Sequence, residues 1–566
     1  MNRAGWRSGV TGAGATLTMA LLTSCVHATP TPSGHATMST ALAVPSGPQV
    51  AQHIKVLTAA LRLMHRDYST LGRFTPGPKD VFDYQVGDLW RRGIDGTGTT
   101  VAVLEGWNDP HIAAFMASQD KKVGLPKARI RTIYPTGLHR LPATCPPGMV
   151  TLGSYGSCKA WAGELELDVL TVHMMAPYAK ILITVAPPDS EITDDAASNV
   201  APPEFMEAIE YLSVRRLANV ISISDDTGEG TYSHGFEEIH AQDPGELTAA
   251  AHGIPVVVGT GDCDAAAHLA VGPSNACGAG LITAGRATAA WDDSPWVTAV
   301  GGTTPNLNAT GNRIGPDPVW NLVTSRVTFG EGAGFSAVFA RPGYADDVAS
   351  ITQSGRRSVP DIAMNGSDGT SESGPLLGGV LALATQLNHG KNIGPINPVL
   401  YKVLGPAGLK DGVADVISGN NTLIRKGKVI VRGFSAAKGF DVASGWGTIR
   451  ANTFAPALVV ATVAAHQDAA VRAQAAADLA RLEHRVSLSR PHVPPGGMTL
   501  MRARGFLPGH PVTLFIDHRK IVRLRADNSG SVRYLIDPAA LGLPSGRHVI
   551  SLVSMLITSR GTFRAS

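Results

Sequence analysis

Gly253-Ile-Pro-Val-Val-Val-Gly-Thr-Gly-Asp262 decides the fold. Three consecutive valines suit a strand, and a run apolar at every position suits one covered on both faces rather than one with a wet side. The glycine-rich turn that closes it marks the strand's end. Runs of the same shape recur on either side: TTVAVLEG at 99–106, AKILITVAP at 179–187, ANVISISD at 218–225 and WVTAVGGT at 296–303. Between them lie helical patterns, PPEFMEAIEYLSVRR at 202–216 and ELTAAAHG at 246–253. Strands alternating with helices predict an α/β fold, a parallel sheet with helices on both faces.

Two polar segments carry candidate chemistry. Gly369-Thr-Ser-Glu-Ser-Gly-Pro375 precedes the apolar run LLGGVLALATQLN, which reads as a buried helix starting just after Ser371. Unpaired amides and the helix dipole there favour developing negative charge. A serine nucleophile needs a base, and no His-Gly-Thr-His segment is present to supply a histidine; His234-Gly235-Phe236 is no substitute. The segment GELELDVLTVHMMAPYAKI at 163–181 offers carboxyls instead. If it is helical, Glu164 and Asp168 are four residues apart and share a face, where two close carboxyls drive their pKa values apart, while Glu166 points elsewhere into solvent.

These residues, with DYQVGDLWRRGIDGTGTTVAVLEG at 83–106, GIPVVVGTGDCD at 253–264, SPWVTAVGGT at 294–303, GAGFSAVFARPGY at 332–344 and RSVPDIA at 357–363, resemble the sedolisin family of serine-carboxyl peptidases, in the family's order. The resemblance spans roughly residues 82–449 and implies a subtilisin-like parallel sheet flanked by helices. It further implies Ser371 as nucleophile, Glu164 as base, Asp168 as the group that orients Glu164, and Asp262 as the oxyanion-site carboxyl. An aspartate donates to an oxyanion only while protonated, so the expected activity is endopeptidase cleavage of proteins or peptides at acidic pH. One structural Ca²⁺ is implied near the end of this region, held by the side chains of Asp415 and Asp441 and the carbonyls of Val416, Ala437 and Gly439. Ala437 stands where the family usually has glycine, and Asp225-Asp226 stand where many relatives carry an aromatic or glycine-bearing turn. A non-catalytic envelope lipoprotein that keeps the fold as a peptide-binding or scaffold module is the alternative. A third reading is a hydrolase with an unrecognised histidine base.

The chain has 566 residues, 48 basic and 45 acidic, for a formal charge of +3. Its length exceeds what one core usually supports. The dispersed positive charges exclude a phosphate-tracking stripe, so nucleic acid is not an expected partner. The N-terminus has Arg3 and Arg7, an apolar stretch from Val10 to Leu22 too short to span a bilayer, and then Leu22-Thr-Ser-Cys25. That pattern predicts a bacterial export signal (1–25) with lipidation of Cys25, and hence a protein of the cell envelope or extracellular space with a lipid anchor at Cys25. The remaining cysteines, 145, 158, 263 and 277, are even in number, and the sequence-local pairs 145–158 and 263–277 are preferred among three connectivities.

A Pro/Ser/Thr-rich tether and a short helical segment fill 26–81, ahead of the peptidase-like domain at 82–455. An Ala-rich stretch at 456–490 predicts a long helix that serves as a linker, packed on or leading away from the large domain. From 491 to 566 short alternating runs separated by PPGG, LPGH, DNSG and PSGR turns predict a small all-β, immunoglobulin-like domain. A monomer is expected.

Overall fold

The computed structural model describes residues 42 and 45–566, except 72–75, 137–157, 187–202, 226, 232–238, 241–242, 272–279, 325–327, 466, 483, 507 and 555–557. The predicted lipidation site Cys25, the cysteines 145 and 277, the 234–236 segment and Asp226 therefore lie outside the described residues, as does the side chain of Cys158. Residues from Leu42 onward form one compact unit.

Seven strands make the central sheet: β1 (Thr100–Glu105), β2 (Arg129–Ile133), β3 (Lys180–Val185), β4 (Val220–Ile223), β5 (Val256–Gly259), β6 (Thr298–Thr303) and β7 (Ile362–Asn365). Their order is β7-β6-β5-β4-β1-β3-β2, and every pairing is parallel. The decisive valines behave as read: Val256, Val257 and Val258 are at most 1% exposed. Val257 faces one core with Val101, Val220 and Val300, and its neighbours Val256 and Val258 face the opposite one. A strand fully apolar on both faces thus has a core to fill on each side.

The helices used below are α1 (Pro48–Arg66), α2 (Ile112–Val123), α3 (Cys158–Met175), α4 (Pro203–Val214), α5 (Asp243–Ala251), α6 (Thr370–Leu387), α7 (Ala451–Ala465) and α8 (Gln467–Leu482). Helix α6 is the central one, with all but two of its eighteen residues buried. It packs with α3 in the same core, through Leu376, Leu377, Val380 and Leu381 against Val169, Val172 and Met175. Close passage depends on small residues: a Cβ added at Gly379 would meet the Met175 side chain at 2.4 Å.

The predicted long Ala-rich helix is instead two, α7 and α8, bent by 74°. Their docking partners differ. Ala451, Phe454, Ala455 and Leu458 of α7 enter the main core, whereas Ala475 of α8 packs on Leu247 and Ala250 of α5. Burying both apolar faces requires the chain to turn. Among the described residues no single helix is long and apolar enough to cross a membrane.

Beyond α8 every helix or strand among the described residues is a β-strand. The main strands are β8 (Thr499–Arg504), β9 (Pro511–Ile516), β10 (Arg519–Arg525), β11 (Ser531–Ile536), β12 (Gly546–Val553) and β13 (Thr558–Ala565). One sheet contains β13-β12-β9-β10 and the other β8-β11, and they share a core that includes Met501, Leu514, Ile516, Ile550 and Phe563.

Candidate active site

Ser371 is the second residue of α6, partly exposed, after a Gly369 with φ of 92°. That backbone region favours glycine, and space adds a second constraint: a Cβ at 369 would stand 2.7 Å from Oδ2 of Asp262. Asp262 follows β5, and its Oδ1 accepts from the Thr370 amide at 2.7 Å and the Thr370 hydroxyl at 3.1 Å. The Gly261 amide donates to Thr370 Oγ1 at 2.9 Å. The loop after β5 is thereby stitched to the first turn of α6, placing Asp262 beside the amide that precedes Ser371.

Glu164 and Asp168 lie one turn apart on α3, as the spacing predicts, Glu164 half-buried and Asp168 fully buried. Burial, and then the charge of Glu164, push the Asp168 carboxyl well above the usual range, while the Ser224 hydroxyl opposes the shift. Glu166 looks the other way, toward Asp109 and His111. It is half-buried rather than solvated.

Ser224, just past β4, is the link that sequence reading missed. Its hydroxyl lies 2.9 and 3.0 Å from the two Asp168 oxygens and 3.2 Å from the Ser371 carbonyl. The reason is local: Pro375 lacks the N–H that would bond the carbonyl four residues back, so Ser371 O takes a side-chain donor instead. A hydroxyl has only one proton. Ser224 can give it to the Asp168 carboxylate or to the Ser371 carbonyl but not to both at once, and when it goes to Asp168 it stabilises the ionised form against the burial that favours the proton.

Four more buried acids were not anticipated. Glu105, at the end of β1, is fully buried with no hydrogen bond to either oxygen, and burial followed by the charges of Asp168, Glu164 and Asp225 drives its pKa well up. Glu372, next to Ser371, is raised well above normal by burial and then by Asp80 from the helix Pro78–Asp83. Asp80 in turn accepts from the Asn365 side-chain amide at 2.7 Å and the Gly77 amide at 2.8 Å. Asp264, two residues past Asp262, is pushed up to about 8 by burial and then by Asp262. The one cue in the sequence for Glu105 was a charged residue ending an otherwise apolar strand.

The proposed calcium ligands also converge. Asp415 Oδ2 accepts from the Gly439 amide at 2.9 Å, and Asp441 Oδ2 from the Ala437 amide at 2.7 Å, so both carboxylates reach one loop. Oδ1 of Asp415 is buried without a hydrogen-bond partner, an orphaned oxygen that a hard cation would satisfy. Gly439 has φ of 80°, whereas Ala437 is not among the positive-φ residues, so alanine fits there without strain. The residues present suit the ion.

No family profile matches the chain. Kumamolisin of Bacillus sp. (strain MN-32) is 27% identical over 383 residues, covering 63% of this chain and 59% of the relative. Tripeptidyl-peptidase 1 of Rattus norvegicus is 30% identical over 185 residues, covering 27% of this chain and 30% of the relative. The chain thus spans under two thirds of the length of either. Among solved structures, Pseudomonas sedolisin (serine-carboxyl proteinase), complexed with two molecules of pseudo-iodotyrostatin, aligns with a TM-score of 0.51 at 22% identity over 64% of this chain and 92% of that one. By sequence the chain is homologous to kumamolisin and tripeptidyl-peptidase 1 and by fold it is a neighbour of Pseudomonas sedolisin; its relatives are sedolisin-family serine-carboxyl peptidases.

Proposed function

We propose that this protein is a serine-carboxyl endopeptidase that hydrolyses peptide bonds through an acyl-enzyme on Ser371. The observation that carries the reading is the Asp168–Ser224–Ser371 chain of contacts, with Glu164 one turn from Asp168 and Asp262 against the amide of Thr370. Ser371 Oγ attacks the substrate carbonyl and its proton passes to the Glu164 carboxylate, then to the leaving amine nitrogen as the C–N bond breaks. Water then attacks the ester, gives a proton to Glu164, and Ser371 leaves with that proton restored. Asp262, when protonated, donates to the oxyanion. Buried Asp168 and Glu105, both with pKa values raised by burial, support activity on the acid side of neutrality.

One Ca²⁺ held by Asp415, Asp441 and the carbonyls of Val416, Ala437 and Gly439 would fix the loop at 437–441. Export, lipidation at Cys25 and the disulfides 145–158 and 263–277 complete the reading, which rests for these on the sequence. The test is cleavage of denatured protein from about pH 3 to 7 by the full chain with calcium. Ser371→Ala and Glu164→Gln should each lose at least about 10²–10⁴-fold in kcat. Undiminished turnover in Glu164→Gln ends the carboxyl-base mechanism.

A further inference from the structure

The β-rich C-terminal region meets the peptidase-like region on α4. Met206 packs against Phe515 and Val553, and beside this contact lie three buried side chains that the proposed chemistry does not use. Glu207 and Glu210, one turn apart on α4, face His518 from the β9–β10 turn. His518 Nδ1 is 2.9 Å from Glu207 Oε2 and 3.6 Å from Glu210 Oε2, with the three side chains 6%, 0% and 2% exposed.

Hydrogen bonding alone leaves this group incomplete. A neutral imidazole nitrogen holds one proton, which can serve Glu207, and 3.6 Å is too long for a bond to Glu210. Glu207 Oε1 is buried with no partner, and Glu204, one turn earlier on the same helix, is fully buried with no hydrogen bond to either oxygen. Near them Arg560 contacts Glu210 Oε1. Three carboxyls in a dry interface thus face one touching arginine, and an unpaired buried charge is costly.

We propose that Glu207, Glu210 and His518 form a zinc site that clamps the C-terminal β region to α4. One imidazole nitrogen and two carboxylate oxygens match zinc's ligand preferences. Ligands about 2.0–2.2 Å from a tetrahedral zinc stand roughly 3.3–3.6 Å apart, close to the spacing of Nδ1 and Glu210 Oε2, and all three donor atoms lie within 4.8 Å of one another. The ion replaces the single shared proton and engages both carboxylates. Arg560, on the opposite oxygen of Glu210, then acts as an outer partner that orients the ligand. The turn supports the assignment: Asp517 and His518 both have positive φ, 51° and 68°, in a two-residue connection where Asn-Gly would be the relaxed choice. A histidine stands at a position that favours glycine, with its ring against the acidic face of α4.

The experiment is zinc binding by the full chain, freed of metal with a chelator and returned to excess calcium, with zinc content measured after ZnCl₂ addition and dialysis. One zinc per chain is expected, with a rise in the thermal unfolding midpoint. His518→Gln and Glu207→Gln should each weaken zinc binding at least 100-fold while leaving calcium binding intact. Should either variant misfold, Co²⁺ bound to the unaltered chain provides the second measurement: an intense visible absorption of four-coordinate cobalt supports the site. Less than stoichiometric zinc, zinc retained equally by His518→Gln, or a weak octahedral cobalt spectrum overturns it.

Discussion

Helices α3 and α4 each carry a closely spaced pair of carboxyls withdrawn from solvent, half-buried Glu164 with buried Asp168 and buried Glu207 with Glu210, yet their surroundings push them to different ends. The α3 pair has another acid, Glu105, beside it, and burial pushes the Asp168 pKa well up against the Ser224 hydroxyl, favouring its protonated form. The α4 pair meets an arginine and an imidazole, which compensate charge and invite a cation. Spacing on a helix therefore does not distinguish a proton-handling pair from a charge-binding one. The partner across the interface does.

Turnover separates the two most sharply. Asp168→Asn should lower kcat by about 10²–10⁴-fold, whereas Glu207→Gln should stay within about twofold at saturating substrate. If Glu207→Gln falls as far as Asp168→Asn, the division between the two helices fails. Ser224→Ala comes next. Removing the one hydroxyl that bonds both Asp168 and the Ser371 carbonyl should cost about tenfold in kcat, from a hydrogen bond worth ~1–1.5 kcal/mol. Because Ser224 lowers the Asp168 pKa, its loss should also move the ionisation seen in the pH–kcat profile upward. An unshifted profile would mean that Ser224 only packs.

The fold was legible because β strands with no wet face have one common home, a parallel sheet covered on both sides. The helical placement of Glu164 and Asp168, and of Ser371 at a helix start, followed from period and flanking glycine. Ser224 was not legible, since the need it answers is created by Pro375, 151 residues away in the chain but adjacent in space. Glu105 was hidden for a related reason: an acid ending a strand is ordinarily exposed, whereas here it is buried beside Glu164 and Asp168 of α3. The break between α7 and α8 depends on two separate docking surfaces, which composition does not record.

Stability should carry a smaller signature of the same burial. Asp264 has its pKa raised to about 8 in the fold, from an ordinary value of 3.8. The folded protein therefore holds this proton more tightly than the unfolded chain, so its contribution is present below about pH 4 and is lost as pH rises toward 8. Asp264→Asn, which tolerates the residue's φ of 56°, should leave stability near pH 4 little changed and raise it by at least about 1 kcal/mol at pH 8. Denaturant unfolding at the two pH values measures this, and equal effects at both would show that Asp264 is not protonated in the fold.

The smallest expected effect tests the comparison at its finest grain. Glu166 lies on α3 between Glu164 and Asp168, carries the same chemistry, and is displaced from their face by two residues, or about 200° of helix rotation. It faces Asp109 and His111, and burial rather than Glu164 or Asp168 accounts first for its raised pKa. If position relative to Ser224 and Ser371 gives the pair its role, Glu166→Gln should change kcat and KM less than about twofold across the whole pH range. A loss approaching that of Asp168→Asn would show that the total negative charge of α3, rather than the i,i+4 face, sets the activity, and the contrast with α4 would then rest on charge count instead of geometry.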